Sequence, residues 1–94
     1  MFDNEDQTER PPMPLYYLHI RDGTKLLLDP EGSNLPNLEA ARMEAIDGAR
    51  QLISEAVLTG APLRMQRAFQ IDDADGHTLL NVPFTDAISS GDKL

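Results

Sequence analysis

The chain has 94 residues, with 16 acidic and 8 basic side chains, no cysteine, and two histidines, His19 and His77. That length fits one domain at most. The missing cysteines exclude disulfides, thiolate metal sites and cysteine nucleophiles, and two histidines are too few for a dedicated zinc site. Phosphate-backbone binding draws its energy from clustered Lys and Arg, whereas here the eight basic residues are scattered from Arg10 to Lys93. A nucleic-acid surface is therefore disfavoured, and no metal or cofactor is expected.

Residues 1–12 carry Asp3, Glu5, Asp6 and Glu9 and end in Pro11-Pro12. Almost nothing there can be buried, so ordering it costs entropy without return; a disordered acidic tail is expected. The start is acidic where a signal peptide is basic and then apolar, and no window reaches the roughly 18 apolar residues of a membrane span. A cytoplasmic protein is expected. Met13 is also suited to be the start of a shorter natural form.

Leu15 to Arg21 is rich in β-formers, Asp22-Gly23 is a turn signal, and Lys25 to Leu28 returns. A three-residue loop, Arg21-Asp22-Gly23, gathers Tyr16, Leu18, Ile20, Leu26 and Leu28 on one face. A two-residue loop at Asp22-Gly23 splits the leucines between faces, so the three-residue loop is expected. Asp29-Pro30-Glu31-Gly32 ends the hairpin. Asn37 reads as an N-cap with Glu39 in the first turn, and Gly60 followed by Pro62 ends the helix. Between them Leu38, Ala41, Ala45, Ala49, Leu52, Ile53 and Ala56 recur at helical spacing as one apolar stripe. Gly48 interrupts this helix at a cost of about 1 kcal/mol relative to alanine.

Ala68 to Asp72 alternates, Asp73-Ala74-Asp75-Gly76 turns, and Thr78 to Pro83 returns. A four-residue loop pairs Phe69 with Leu80 and Arg67 with Val82. The expected fold is α+β: ββαββ over residues 13–88, a four-stranded antiparallel sheet with one helix on one face. Residues 89–94 are expected to fray.

The run Pro14-Leu15-Tyr16-Tyr17-Leu18-His19-Ile20-Arg21-Asp22-Gly23 resembles the opening of a family of short bacterial proteins, common in rhizobia and their relatives. Their chains begin with Met-Pro, two aromatics, a histidine and Asp-Gly. The likeness continues through Asp29-Pro30-Glu31-Gly32, Leu35-Pro36-Asn37-Leu38, Ala40-Ala41-Arg42, Asp75-Gly76 and Pro83-Phe84, so it covers roughly residues 13–87. It implies a bacterial origin and a shared fold. The family is a domain of unknown function, so the resemblance implies no activity.

On the expected register Tyr17, His19, Leu27, Gln70 and Leu79 face away from the helix. His19 is suited to proton transfer or anion binding, but a half-exposed strand residue is the reading to expect. Arg42 falls near the apolar stripe; it is suited to hold a ligand carboxylate, but is expected instead to lie over apolar neighbours and pair with a loop acid such as Asp29 or Glu31. Asp72, Asp73 and Asp75 before Gly76 faintly suggest a calcium loop. Ile71 and Val82 stand where that pattern needs its first acid and its glutamate, so a polar turn is expected instead. The residues point to a non-catalytic protein-interaction module, either a homodimer or a domain that binds an unidentified protein. The uncovered sheet face, with Tyr17, Leu27 and Leu79, is its surface. The alternative is a small-ligand sensor or minor enzyme using Tyr17, His19 and Arg21; a nucleic-acid-associated regulator ranks below both.

Overall fold

A computed structural model describes residues 13–89. The expectations for the N-terminal tail and for residues 90–94 lie outside these described residues. Strand β1 (Leu15–Asp22) turns into β2 (Lys25–Leu27), and a two-residue β3 (Ser33–Asn34) follows. The main helix α1 (Leu38–Thr59) leads to β4 (Ala68–Asp72), β5 (Thr78–Pro83) and a short helix α2 (Thr85–Ser89). The fold is α+β with an open antiparallel sheet and one main helix, as the sequence predicts. Strand β3 and helix α2 are additions to the expected ββαββ order.

The sheet runs β2-β1-β4-β5, with β3 also paired to β1. The two hairpins therefore meet through β1 and β4, in the register Leu18↔Ile71 and Ile20↔Phe69. This central pair puts Tyr16, Leu18 and Ile20 on the same side as Phe69 and Ile71, where α1 covers them. The core gathers Tyr16, Ala41, Ala45, Ile46, Ala49, Phe69, Ile71, Val82, Phe84 and Ala87. Alanines at 41, 45 and 49 are at most 1% exposed. Their small side chains let the helix lie close on the sheet. Gly48 belongs to the same approach, since a Cβ there would stand 3.2 Å from Phe69 Cζ. Ile46, outside the expected stripe, is only 2% exposed. Both helix ends follow the sequence. Asn37 Oδ1 accepts the Ala40 N–H at 2.8 Å, and Gly60 is left-handed and returns its N–H to Ala56 O.

The first hairpin departs from the expected register. Its pairs are Ile20↔Leu27, Arg21↔Leu26 and Asp22↔Lys25, so the loop is the two-residue Gly23-Thr24. Leu27 thereby joins the helix side and Leu26 the outer side, while Leu28 leaves the sheet. The reason is that β1 satisfies its apolar face against β4 and α1. Strand β2 is three residues long and half exposed, so burial has little hold on its register and the turn decides it. Gly23 has φ of 66° with open space around its Cβ position. Gly23→Val is therefore strained by backbone alone. It should cost about 1–2 kcal/mol, read as a lower denaturant midpoint, with no change in the β4–β5 amide signals.

The second hairpin pairs Phe69↔Val82 and Ile71↔Leu80, two residues from the expected register. A two-residue slip keeps every side chain on its face, so apolar sorting could not choose between the two. The bulge between Ile71 and Asp72 sets Thr78 opposite Asp72 and leaves Leu79 as the extra residue.

Candidate functional site

Alternation along β1 and β4 sets His19, Arg21, Gln70 and Asp72 on the outer face of the sheet. Instead of the semi-apolar surface expected from the sequence, they form a polar ladder. Arg21 donates to Gln70 Oε1 at 3.1 Å. Gln70 Nε2 donates to Asp72 Oδ1 at 3.3 Å, and Thr78 Oγ1 donates to the same oxygen at 2.9 Å. The His19 Nε2 faces the second oxygen, Asp72 Oδ2, at 3.4 Å. His19 and Asp72 are 9% and 8% exposed. A histidine and a carboxylate both buried on a sheet face open to solvent need a covering element.

That cover is the loop between β2 and β3. Both short strands pair with the same edge of β1, β2 at residues 20–22 and β3 at residues 15–16. Between them the backbone of β1 lacks a strand partner, and Asp29 takes that place. Its Oδ2 accepts the Leu18 N–H at 3.1 Å, and its Oδ1 accepts the N–H groups of Glu31 and Gly32, each at 3.2 Å. The Asp29 backbone N–H donates to His19 Nδ1 at 3.0 Å. Because Nδ1 accepts, the ring proton of the neutral imidazole sits on Nε2, toward Asp72. Tyr17 completes the arrangement, its ring stacked on His19 with centroids 6.0 Å apart and planes 23° apart.

Chemically, this arrangement lacks the open nitrogen that a general base needs. Such a base keeps one nitrogen open toward substrate and gives the other to an orienting carboxylate. Here one nitrogen is taken by a backbone N–H and the other faces Asp72. His19 links loop 28–32 to β4, and its polar atoms are spent on the fold. Beside it lies an open groove of about 320 Å³, walled by Tyr17, His19, Leu28, Pro30, Asp72 and Ala74.

The remaining sequence-predicted residues fall elsewhere. Leu27 is opposite Ile20, on the helix side of the sheet, which corrects its expected place on the outer face. Leu79 sits at the bulge and is 40% exposed. Arg42 pairs with neither Asp29 nor Glu31. It grips Glu39 one helical turn earlier, with Nε to Oε1 at 3.2 Å and a terminal nitrogen to Oε2 at 2.9 Å. Intrahelical reach is shorter than any route to the loop, so the i,i+3 partner wins. That bond holds the Glu39 carboxyl below its usual range and raises Arg42.

The Asp73-to-His77 turn is knitted around Asp73. Its Oδ1 accepts the N–H of Asp75 at 2.9 Å and of His77 at 2.8 Å. The His77 N–H, first among several donors, holds the Asp73 carboxyl below its usual range. Ligand atoms of Asp73, Asp75 and His77 lie within 4.8 Å of one another. The turn hydrogen bonds already account for that closeness, as the sequence reading of a polar turn requires.

Sequence reasoning missed Asp29 and Asp72 as members of this centre. The signal for Asp29 was its place before Pro30-Glu31-Gly32, a side chain set to accept from the backbone two and three residues on. Its contact with β1 had no local signal.

Fold and site together define a small α+β domain whose polar centre on the open sheet face is built from a loop carboxylate and a buried histidine. The chain belongs to the DUF6894 family, a domain of unknown function, whose family model matches residues 15–85. No curated protein and no solved structure matches it. No helix among the described residues is long and apolar enough to cross a membrane.

Proposed function

We propose that the domain is a non-catalytic interaction module, a bacterial cytoplasmic protein that either self-associates or binds another protein through the outer face of its sheet. One observation carries this reading. The buried titratable pair on that face, His19 and Asp72, has its polar atoms engaged within the fold, while apolar side chains around it stay open. Leu28 at the rim of the groove is 69% exposed. Tyr17 offers its ring between polar and apolar neighbours, a composition suited to protein contacts.

The sheet edge is a poorer surface than the face. Phe84 N–H reaches Arg67 O across the end of β4 and β5. By alternation the Pro83 position then faces outward, where proline has no N–H to offer. Among the described residues, the other edge is the three residues of β2 and the two of β3.

Sedimentation velocity from micromolar to near-millimolar concentration tests this reading. A dimer is expected that Leu28→Glu and Tyr17→Glu both dissociate; a stable interface needs about 800 Å² per partner. A strict monomer would eliminate self-association and leave partner binding. A dimer insensitive to both substitutions would move the interface off this face. The groove beside His19 favours a second reading, a sensor of small apolar ligands. Saturable quenching of Tyr17 fluorescence by such a ligand would support it over the first.

A further inference from the structure

The basic residues look scattered along the chain, but the fold collects three of them. Lys25 stands at the start of β2, and Arg64 and Arg67 lie in the connection between α1 and β4. All three line one cleft of about 550 Å³ at the tip of the first hairpin, beside Asp22, Gly23 and Thr24. Asp22 is the single acidic residue of that lining, so the cleft holds an excess of two positive charges inside a chain of net charge −8.

The contacts show how little of this charge is used. Arg67 meets Asp22 Oδ2 through Nε at 3.2 Å, and Arg64 approaches the same oxygen with one terminal nitrogen at 3.7 Å. Gln66 donates to the other oxygen, Oδ1, at 3.2 Å. Neither arginine gives Asp22 the two-pronged grip that Arg42 gives Glu39. Lys25 has no ion pair among the described residues. Asp22 thus orients the two guanidinium groups without saturating them. Gly23 and Thr24 line the cleft on the hairpin side.

We propose that this cleft is an oxyanion site for the phosphate group of a small phosphorylated molecule. A tetrahedral dianion matches the local excess of two charges. Its several oxygens suit donors that converge from two chain segments, including planar guanidinium groups. A carboxylate carries one charge and fills such a site less well. The site is separate from the His19 groove and does not depend on the interaction reading above.

The test is an amide and arginine Nε NMR titration of the full chain at constant ionic strength. Inorganic phosphate, glycerol 3-phosphate and acetate are the probes, with chloride making up the balance. Saturable shifts are expected for Gly23, Thr24, Lys25 and the Nε signals of Arg64 and Arg67. Midpoints for the two phosphates should lie at least about threefold below that for acetate. A tighter midpoint for glycerol 3-phosphate assigns the site to a phosphorylated molecule, and a tighter one for inorganic phosphate overturns that assignment. The double variant Lys25→Glu/Arg64→Glu should weaken phosphate binding about tenfold or more. Arg67 is left in place because it holds Asp22, and unchanged Ile71 and Ala45 amide signals would show the variant folded. Linear shifts no larger than those from chloride, or identical shifts in the folded double variant, would overturn the proposal.

Discussion

Ala45→Asp should abolish cooperative folding. Ala45 has no solvent exposure and belongs to the cluster between α1 and the sheet. A carboxylate there would be stripped of water with no cation beside it among the core residues. The effective penalty for an unpaired buried charge is several kcal/mol. A domain of this size has a total stability of about 5–15 kcal/mol and sits toward the low end. The loss of about 4 kcal/mol or more should leave the variant largely unfolded at 25 °C. Far-UV circular dichroism should lose the helical minimum, and urea unfolding should show no sloped native baseline. Glu44→Ala, one residue earlier on the exposed side of α1, should move the midpoint by less than about 0.5 kcal/mol. Equal midpoints for Ala45→Asp and the parent would mean that α1 presents a different face to the sheet.

Asp29→Ala should have the second-largest effect, although Asp29 lies in a loop. Its carboxylate accepts three backbone N–H groups, and its backbone N–H holds His19 Nδ1. Truncation orphans the Leu18 N–H in the gap between β2 and β3, and it frees loop 28–32 from the histidine it covers. Hydrogen bonds to charged acceptors contribute about 1.5–3 kcal/mol each, and part of that returns when water enters. A net loss of about 2–4 kcal/mol is expected. Asp29→Asn keeps one oxygen and should lose roughly half as much. Hydrogen exchange supplies a local readout: Leu18 should lose its protection in Asp29→Ala before Ile71 does. An unchanged exchange rate at Leu18 would show that another acceptor serves that amide. His19 reads out the same event, since losing its cover exposes the ring and releases the stack on Tyr17.

The two substitutions sit at opposite ends of what local sequence reveals. Ala45 announces itself, because its neighbours at spacings of four and seven, Ala41, Ala49, Leu38 and Leu52, are apolar and the periodicity marks a face without any partner in view. Asp29 announces only a turn. Its importance arises from residues eleven positions away in the chain, at Leu18, and from β4 beyond the helix. The same contrast separates Arg42, whose side chain finds its nearest acid on its own helix, from Lys25, Arg64 and Arg67, which the chain keeps apart and the fold brings to one cleft.

By itself the sequence determined the local structure: β-forming runs at residues 15–21, 68–72 and 78–83, a capped helix from Leu38 to Thr59, and the sorting of Tyr16, Leu18, Ile20, Phe69, Ile71, Leu80 and Val82 to the helix side. These follow from periodicity, capping and turn residues, which act within a few positions. Only the tertiary structure decided the register of both hairpins, the pairing of β1 with β4, the bulge at Leu79, and the outer-face ladder from Arg21 to His19. Where burial was indifferent to a slip, as at the exposed β2 or for a two-residue shift in β5, pattern could not fix register. The polar centre needed three segments of the chain to meet, and no local rule specifies which side chain will answer an unpaired N–H across the sheet.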